Sequence, residues 1–246
     1  MNPLSEALGL GCRPVAVYRS PSVPEDAVVP EGKCVIPLLL TGCARNGGKY
    51  AADAGSIRCH GAVGGLGFGG IPDRGKTAVN MSDRPPEEGR PGKRYFRDPE
   101  CAMRQMECVP DMGDGEDAIV FQDLDSAEAE GIPVEVVVFL VNPVELSALM
   151  QLAAFSRTSE GPASTAPFGL ACQQIYAIPM GEAGSDDPRG VIGMTDMYAR
   201  RFVPPDILSY AVPYSLYRRM VSDIGASFLS QQRYLDNLSA ASEGKW

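Results

Sequence analysis

The chain has 246 residues, with 22 Lys and Arg against 31 Asp and Glu, and a formal net charge of −9. That acidic balance argues against a general nucleic-acid binder, which relies on clustered cations. No apolar run reaches the roughly 20 residues of a transmembrane helix, and Met1–Leu10 has no basic residue to open a secretory signal, so a cytoplasmic protein without a membrane partner is expected.

Leu4, Ala7 and Leu8 recur at helical spacing, and Gly9 and Gly11 end that helix. Pro14–Tyr18 reads as a short buried strand. Lys33–Thr41 is an apolar run read as helix, with Pro37 an awkward member. Ser56–Leu66 is a small-residue segment holding Cys59 and His60. Residues 67–115 are rich in Gly, Pro and charge of both signs, and read as a long polar loop or arm with a short helix near Pro99–Glu107.

From Glu107 to Glu145 there is no Lys or Arg. Ala118–Phe121 is a short strand in that stretch, and Pro133–Val141, continuous and β-branched, is the clearest strand of the chain. Asn142 as N-cap and Pro143 in the first turn start a helix whose apolar face carries Leu146, Leu149, Met150 and Ala153. Leu170–Ile178 reads as a helix containing Cys172, and Gly181–Asp187 as a turn-rich loop. Gly190–Met194 and part of Asp206–Val212 read as strands, Pro213–Ile224 and Phe228–Leu238 as helices. The strand–cap–helix order around Asn142 predicts an α/β (α+β) fold: one domain over residues 1–246, a mixed sheet flanked by helices, and the arm at 67–115.

Cysteine is the unusual chemical resource: seven residues, against a single histidine. Cys12, Cys34, Cys43, Cys59, Cys101, Cys108 and Cys172 include no C-x2-C pair, the tight spacing that lets two thiolates converge on one metal. Cysteine is also among the most often buried residue types, so structural thiols are the plainer reading. For a soft metal or iron–sulfur centre the candidates are Cys34, Cys59 and Cys172, each in an apolar or small-residue segment, with Cys43 as a fourth thiolate. Cys101 and Cys108, seven apart, share a helix face and suit a metal clip or a reversible disulfide equally. One histidine excludes zinc sites with several His ligands and routes any Cys–His or Ser-His-Asp mechanism through His60.

Two other constellations could hold a ligand. Gly65–Gly70, GLGFGG, fits G-x-G-x-x-G, with Gly65 and Gly67 as its first glycines, but Ile71-Pro72 follows where a helix should open. A close-packing or hinge role for these glycines is the plainer alternative. Gly193-Met194-Thr195-Asp196 followed by Arg200 reads as a strand end presenting an anion-binding or ion-paired corner.

PVAVYR at 14–19, KCVIPLLLTG at 33–42, RCHGAVGGLGF at 58–68, VEVVVFLVNPVELSALM at 134–150, LACQQIYAIP at 170–179, GVIGMTDMYAR at 190–200 and SYAVPYSLYRRM at 209–220 together resemble the domain-of-unknown-function 169 family of archaea and anaerobic bacteria. The resemblance runs nearly end to end and implies one domain. It carries no settled activity, but Cys34, Cys59 and Cys172 fall in the family-like segments. The leading expectation is a cysteine-ligated iron–sulfur or other soft-metal centre for redox or cofactor handling, with a redox partner. The alternative is a metal-free small-molecule binder with a pocket near Gly64–Gly70 and Asp196–Arg200. A third is a thiol-dependent enzyme using Cys59 or Cys34.

Overall fold

A computed structural model describes residues 2–31, 34–69, 73–83, 91–113, 115 and 117–242. The strands are β1 (Val15–Ser20), β2 (Lys49–Ala52), β3 (Ala118–Asp123), β4 (Val136–Val141), β5 (Ser164–Thr165), β6 (Gly190–Gly193) and β7 (Leu208–Pro213). They form one sheet in the order β2-β3-β1-β4-β7-β6-β5. Every pairing is antiparallel except β5 with β6. The mixed single-sheet α/β fold expected from the sequence is thus observed.

The strands bury both faces, and their side chains sort by the period of two. Val15, Val17, Val136 and Val138 point to one core with Ile119 and Phe121. Ala16, Tyr18, Val137 and Phe139 point to the other with Val120 and Tyr210. The second face is covered by α1 (Pro3–Leu8), α7 (Pro143–Phe155) and α9 (Tyr214–Asp223), through Leu4, Leu149, Leu152, Leu216 and Met220. The first is covered by α2 (Val35–Asn46), α3 (His60–Gly65) and a helix running from Ala171 to Ala183. The candidate cysteines lie on this first face.

Local chemistry explains the helix starts. Pro37 sits in the first turn of α2, where its missing N–H has no intrahelical partner to lose. Asn142 and Glu145 form a capping box on α7, and Glu145 also accepts the Gly11 N–H at 2.7 Å, tying the loop before β1 to that helix. In the Ala171–Ala183 helix, residues Gln173–Ala177 are π, and the Ile178 N–H donates to the Gln173 carbonyl five residues back. Pro179 follows at once; a proline clashes with the carbonyl four residues before it, and the widened turn relieves that crowding. The turn-rich loop expected at Gly181–Asp187 therefore starts later, because α8 (Ile178–Ala183) continues to Ala183. The last helix likewise starts later than expected, as α10 (Gln232–Ser242), after a 3₁₀ turn at Phe228–Ser230.

The 67–115 stretch holds more order than a loop. Among its described residues are α4 (Arg74–Met81) and α5 (Pro99–Glu107), packed through Ala78, Met81, Ala102 and Met106 into a small core that Leu170 joins. The helix expected at Pro99–Glu107 is present. α6 (Leu124–Ala129) and β2 also went unread in the sequence.

A buried ionic node closes the sheet end near β6. Asp187 accepts the Arg219 Nη1 at 2.7 Å and the Ser159 N–H at 2.8 Å, and Arg157 Nη1 lies 3.4 Å away. The Ser159 N–H first, then Arg219, hold the Asp187 carboxyl well below the usual carboxylate range. A depressed carboxyl stabilises the fold above its unfolded pKa of about 4 and loses that contribution as pH falls toward its folded pKa. Asp187→Asn should therefore unfold at lower denaturant at pH 7, and its stability should fall less steeply than the parent's below pH ~4. Parallel pH profiles for the two proteins in urea melts would refute this account.

Candidate functional site

Cys34, Cys59 and Cys172 come from three distant segments that cover the first face of the sheet, near enough to act on one another electrostatically. Cys34 is the N-cap of α2, Cys59 the N-cap of α3, and Cys172 lies in the first turn of the Ala171–Ala183 helix. Cys34 and Cys59 are half-buried and Cys172 is buried; all seven cysteines are free thiols. Burial first, then the neighbouring Cys59 and Asp196, push the Cys34 thiol up to about 11. Cys172 is raised well above its ordinary value by burial first, then by Cys59 and Cys34. The three thiols and the Asp196 carboxylate thus share one electrostatic neighbourhood. Arg201 and Lys93 act on Cys34 in the opposite sense.

The glycines of the Gly64–Gly70 run build this convergence. A Cβ on Gly65 would stand 2.8 Å from Cys172 Sγ and 2.9 Å from the Gln173 nitrogen, so only glycine lets α3 lie on the Cys172 turn. Cys172 Sγ donates to the Gly61 carbonyl at 2.8 Å across the same contact. The phosphate-loop context is missing: a helix, α3, ends at Gly65 where a strand should precede the loop, and Gly70 to Pro72 lie outside the described residues. Gly67 is left-handed (φ 74°), and its carbonyl accepts Arg19 Nη2 at 3.0 Å.

Arg19 was not singled out in the sequence. Its guanidinium lies 5.7 Å from the Phe68 and Tyr176 rings and donates to the Leu66 carbonyl at 2.8 Å and to Tyr176 Oη at 3.2 Å. Tyr176 Oη in turn donates to Glu135 Oε2 at 2.8 Å. This chain locks the C-terminal end of α3 to β1 and the π segment. An arginine ending a buried strand pattern (VAVYR) is the one signal that could have found it.

The remaining candidates divide. Asp196 stays with the thiols, and its Oδ1 accepts the Tyr198 N–H at 2.9 Å. Arg200 does not present an anion corner: its guanidinium is spent on the carbonyls of Pro204, Pro205 and Ile207. Cys43 is set apart as well. It is fully buried on α2, donates to the Gly48 carbonyl at 3.5 Å, and is pushed up to about 12 by burial, then by Asp123. Cys101 lies in the first turn of α5 and Cys108 is its C-cap, and seven residues of rise separate them by about 10.5 Å, beyond disulfide reach unless the helix opens. The His60 side chain, like Asp114 and Glu116, lies outside the described set.

Two cavities accompany these residues. The space beside Gly64 is only about 10 Å³, enough for one water. A larger cavity of about 290 Å³ lies at the end of β4, lined by Cys12, Arg45, Leu140, Glu145, Asp206 and Ile207 among others. Arg200 holds the 204–207 loop that forms one of its walls.

The raised thiols predict slow chemistry in the metal-free chain. With a pKa of about 11, Cys34 is thiolate in only about one molecule in a thousand at pH 8. Iodoacetamide should label exposed Cys108 first, Cys34 slowly and increasingly with pH, and Cys172 and Cys43 only on unfolding. A fast Cys34 adduct at pH 7, read by mass spectrometry, would restore the nucleophile reading.

One mixed sheet between helical layers, with three free thiols gathered under one face, defines a cysteine-bearing α/β protein. The family pattern that matches, over residues 3–223, is DUF169, described as Uncharacterised ArCR, and the chain belongs to that family. No curated protein matches the chain. No solved structure matches it. Among the described residues no helix is long and apolar enough to cross a membrane.

Proposed function

We propose that Cys34, Cys59 and Cys172 hold a soft-metal or iron–sulfur centre that serves redox or cofactor handling. The observation that supports this reading is that three helix starts, remote in sequence, bring their thiols within electrostatic reach of one another and of Asp196. Thiolate is the ligand soft metals prefer. Among the described residues no three His, Cys, Asp or Glu side chains stand at metal-holding spacing. A metal shared by the three thiols would require them to move closer together. A Cys172 thiolate cannot donate, so its hydrogen bond to the Gly61 carbonyl is given up when metal binds.

The test is purification without oxygen, followed by visible spectroscopy and assay of iron, zinc and acid-labile sulfide. A stoichiometric metal is expected; its absence, together with failure to load iron and sulfide in vitro, would sink the proposal. The cavity at Cys12 supports a second reading, a small-molecule site, because about 290 Å³ is near the lower end of ligand-pocket size. Filling it by Ile207→Trp should abolish any ligand-induced rise in melting temperature without changing metal content.

A further inference from the structure

The cavity at the end of β4 is walled by segments that the fold holds in place. Glu145 Oε1 accepts the Gly11 N–H at 2.7 Å, and the Ala44 carbonyl accepts the Arg13 N–H at 3.0 Å. These bonds tie the turn around Cys12 to the start of α7 and to the end of α2. The 204–207 wall is held by Arg200, and the Ile207 N–H closes on the Pro204 carbonyl at 3.1 Å. A hollow fixed in this way needs little ordering when a ligand enters.

Its lining combines one cation, two carboxylates and an aliphatic surface. Arg45 comes from the last turn of α2, Asp206 from the 204–207 loop, and Leu140 and Ile207 supply the apolar part. Glu145 is engaged by its own chain: Oε2 accepts the Asn142 N–H at 2.8 Å while Oε1 takes Gly11, and its charge stands at the positive end of the α7 dipole. The two solvent-facing charges of the lining are thus one guanidinium and one carboxylate, brought by different elements. A volume of about 290 Å³ is the space of roughly ten waters at ~30 Å³ each, which suits one amino acid better than a nucleotide. In a hollow of this size, charges on separate walls stand within reach of the two ends of one small molecule.

We infer that this cavity binds a free α-amino acid with an aliphatic side chain, its carboxylate on Arg45, its ammonium on Asp206 and its side chain against Leu140 and Ile207. The inference gives a ligand class to the small-molecule reading of the cavity and rests on that reading, independently of any metal at the other cysteines. An α-amino acid presents both charges beside an apolar body, as the lining does. The planar guanidinium can take the carboxylate through two parallel hydrogen bonds, which fixes the ligand's orientation. Binding makes and breaks no covalent bond; the half-buried Cys12 thiol, raised by burial first and then by Glu145, is a wall contact.

The probes are leucine, isoleucine, valine and methionine, with isocaproate and isoamylamine as leucine without its amine and without its carboxylate, titrated into the full chain by calorimetry. Saturable binding of leucine is expected, about tenfold or more weaker for each of its two analogues. Arg45→Gln should weaken leucine and isocaproate about tenfold and leave isoamylamine unchanged, whereas Asp206→Asn should weaken leucine and isoamylamine and leave isocaproate unchanged. Both changes are at exposed side chains, so melting temperatures should match the parent's. Ile207→Trp should block every probe. Equal binding of leucine and isocaproate, or leucine binding untouched by Arg45→Gln, would overturn the amino-acid inference, while a block by Ile207→Trp would keep the small-molecule reading. If no amino acid binds, the inference fails, and a set of neutral fragments screened against the parent and Ile207→Trp decides the reading beneath it. A fragment lost in Ile207→Trp sustains a small-molecule site; no fragment bound removes both.

Discussion

On the proposed metal reading, Cys34→Ser, Cys59→Ser and Cys172→Ser should each remove most of the bound metal, while Cys43→Ser and Cys12→Ser should retain it. The three thiols of the first group share one electrostatic neighbourhood; Cys43 lies against Gly48 and Asp123, and Cys12 lines the separate cavity. Replacing a group that only supports a metal ligand commonly costs about 10–100-fold in affinity, so losing a ligand should cost at least that. Metal uptake should also release protons and tighten as pH rises, because Cys34 and Cys172 are held protonated by burial until metal displaces the proton. Cys172→Ala and thermal melts of the metal-free variants separate ligand loss from misfolding. Equal metal in all five serine variants, or loss in Cys43→Ser alone, would dissolve the proposed ligand set.

Gly65→Val should be the most damaging small substitution near the site. Its Cβ would meet Cys172 Sγ at 2.8 Å, the Gln173 nitrogen at 2.9 Å and the Cys172 carbonyl carbon at 3.0 Å; two of the three are backbone and cannot step aside. Overpacking of this kind costs about 1–3 kcal/mol or more, and each kcal/mol lowers the melting temperature of a chain this size by about 2–4 °C. The strain is relieved by lifting α3, which carries Cys59 away from Cys172, so metal should be lost together with stability. Gly184→Ala is the contrasting change: its φ is −81° and nothing lies within 4 Å of the new methyl. It should stabilise by about 0.4–1 kcal/mol and leave metal untouched. A Gly65→Val protein that melts and binds metal like the parent would remove close packing as the reason for the glycine run.

The sheet was largely legible because its central strands obey simple rules. Val136–Val141 is β-branched and bounded by turn formers, and Asn142-Pro143 announces the helix after it. β2 escaped because Lys49–Ala52 is short and exists through pairing with β3, a long-range partner that no local pattern reveals. α4 escaped because its few apolar positions, Ala78 and Met81, find their core only against α5. At the site, the apolar settings of Cys34, Cys59 and Cys172 reflect three segments that pack on the same face of the sheet. Cys43 shares that apolar character, yet α2 carries it along its axis to a different neighbourhood. Arg200 shows the limit of charge as a signal: its partners are carbonyls, which every residue carries and no sequence distinguishes.

The π segment has a consequence for how such a chain tolerates insertions and deletions. Its five residues, Gln173–Ala177, hold an extra residue within one helical turn. Removing one of them and restoring ordinary α-helical winding would be absorbed within that turn, so the helix on either side would nearly keep its bearing. Cys172 would then stay on the face it presents to α3, at the cost of restoring the crowding at Pro179. Deleting a residue from an ordinary α-helical turn instead rotates what precedes it by about 100°, so the π segment marks the place in this helix where a change of length disturbs that thiol least.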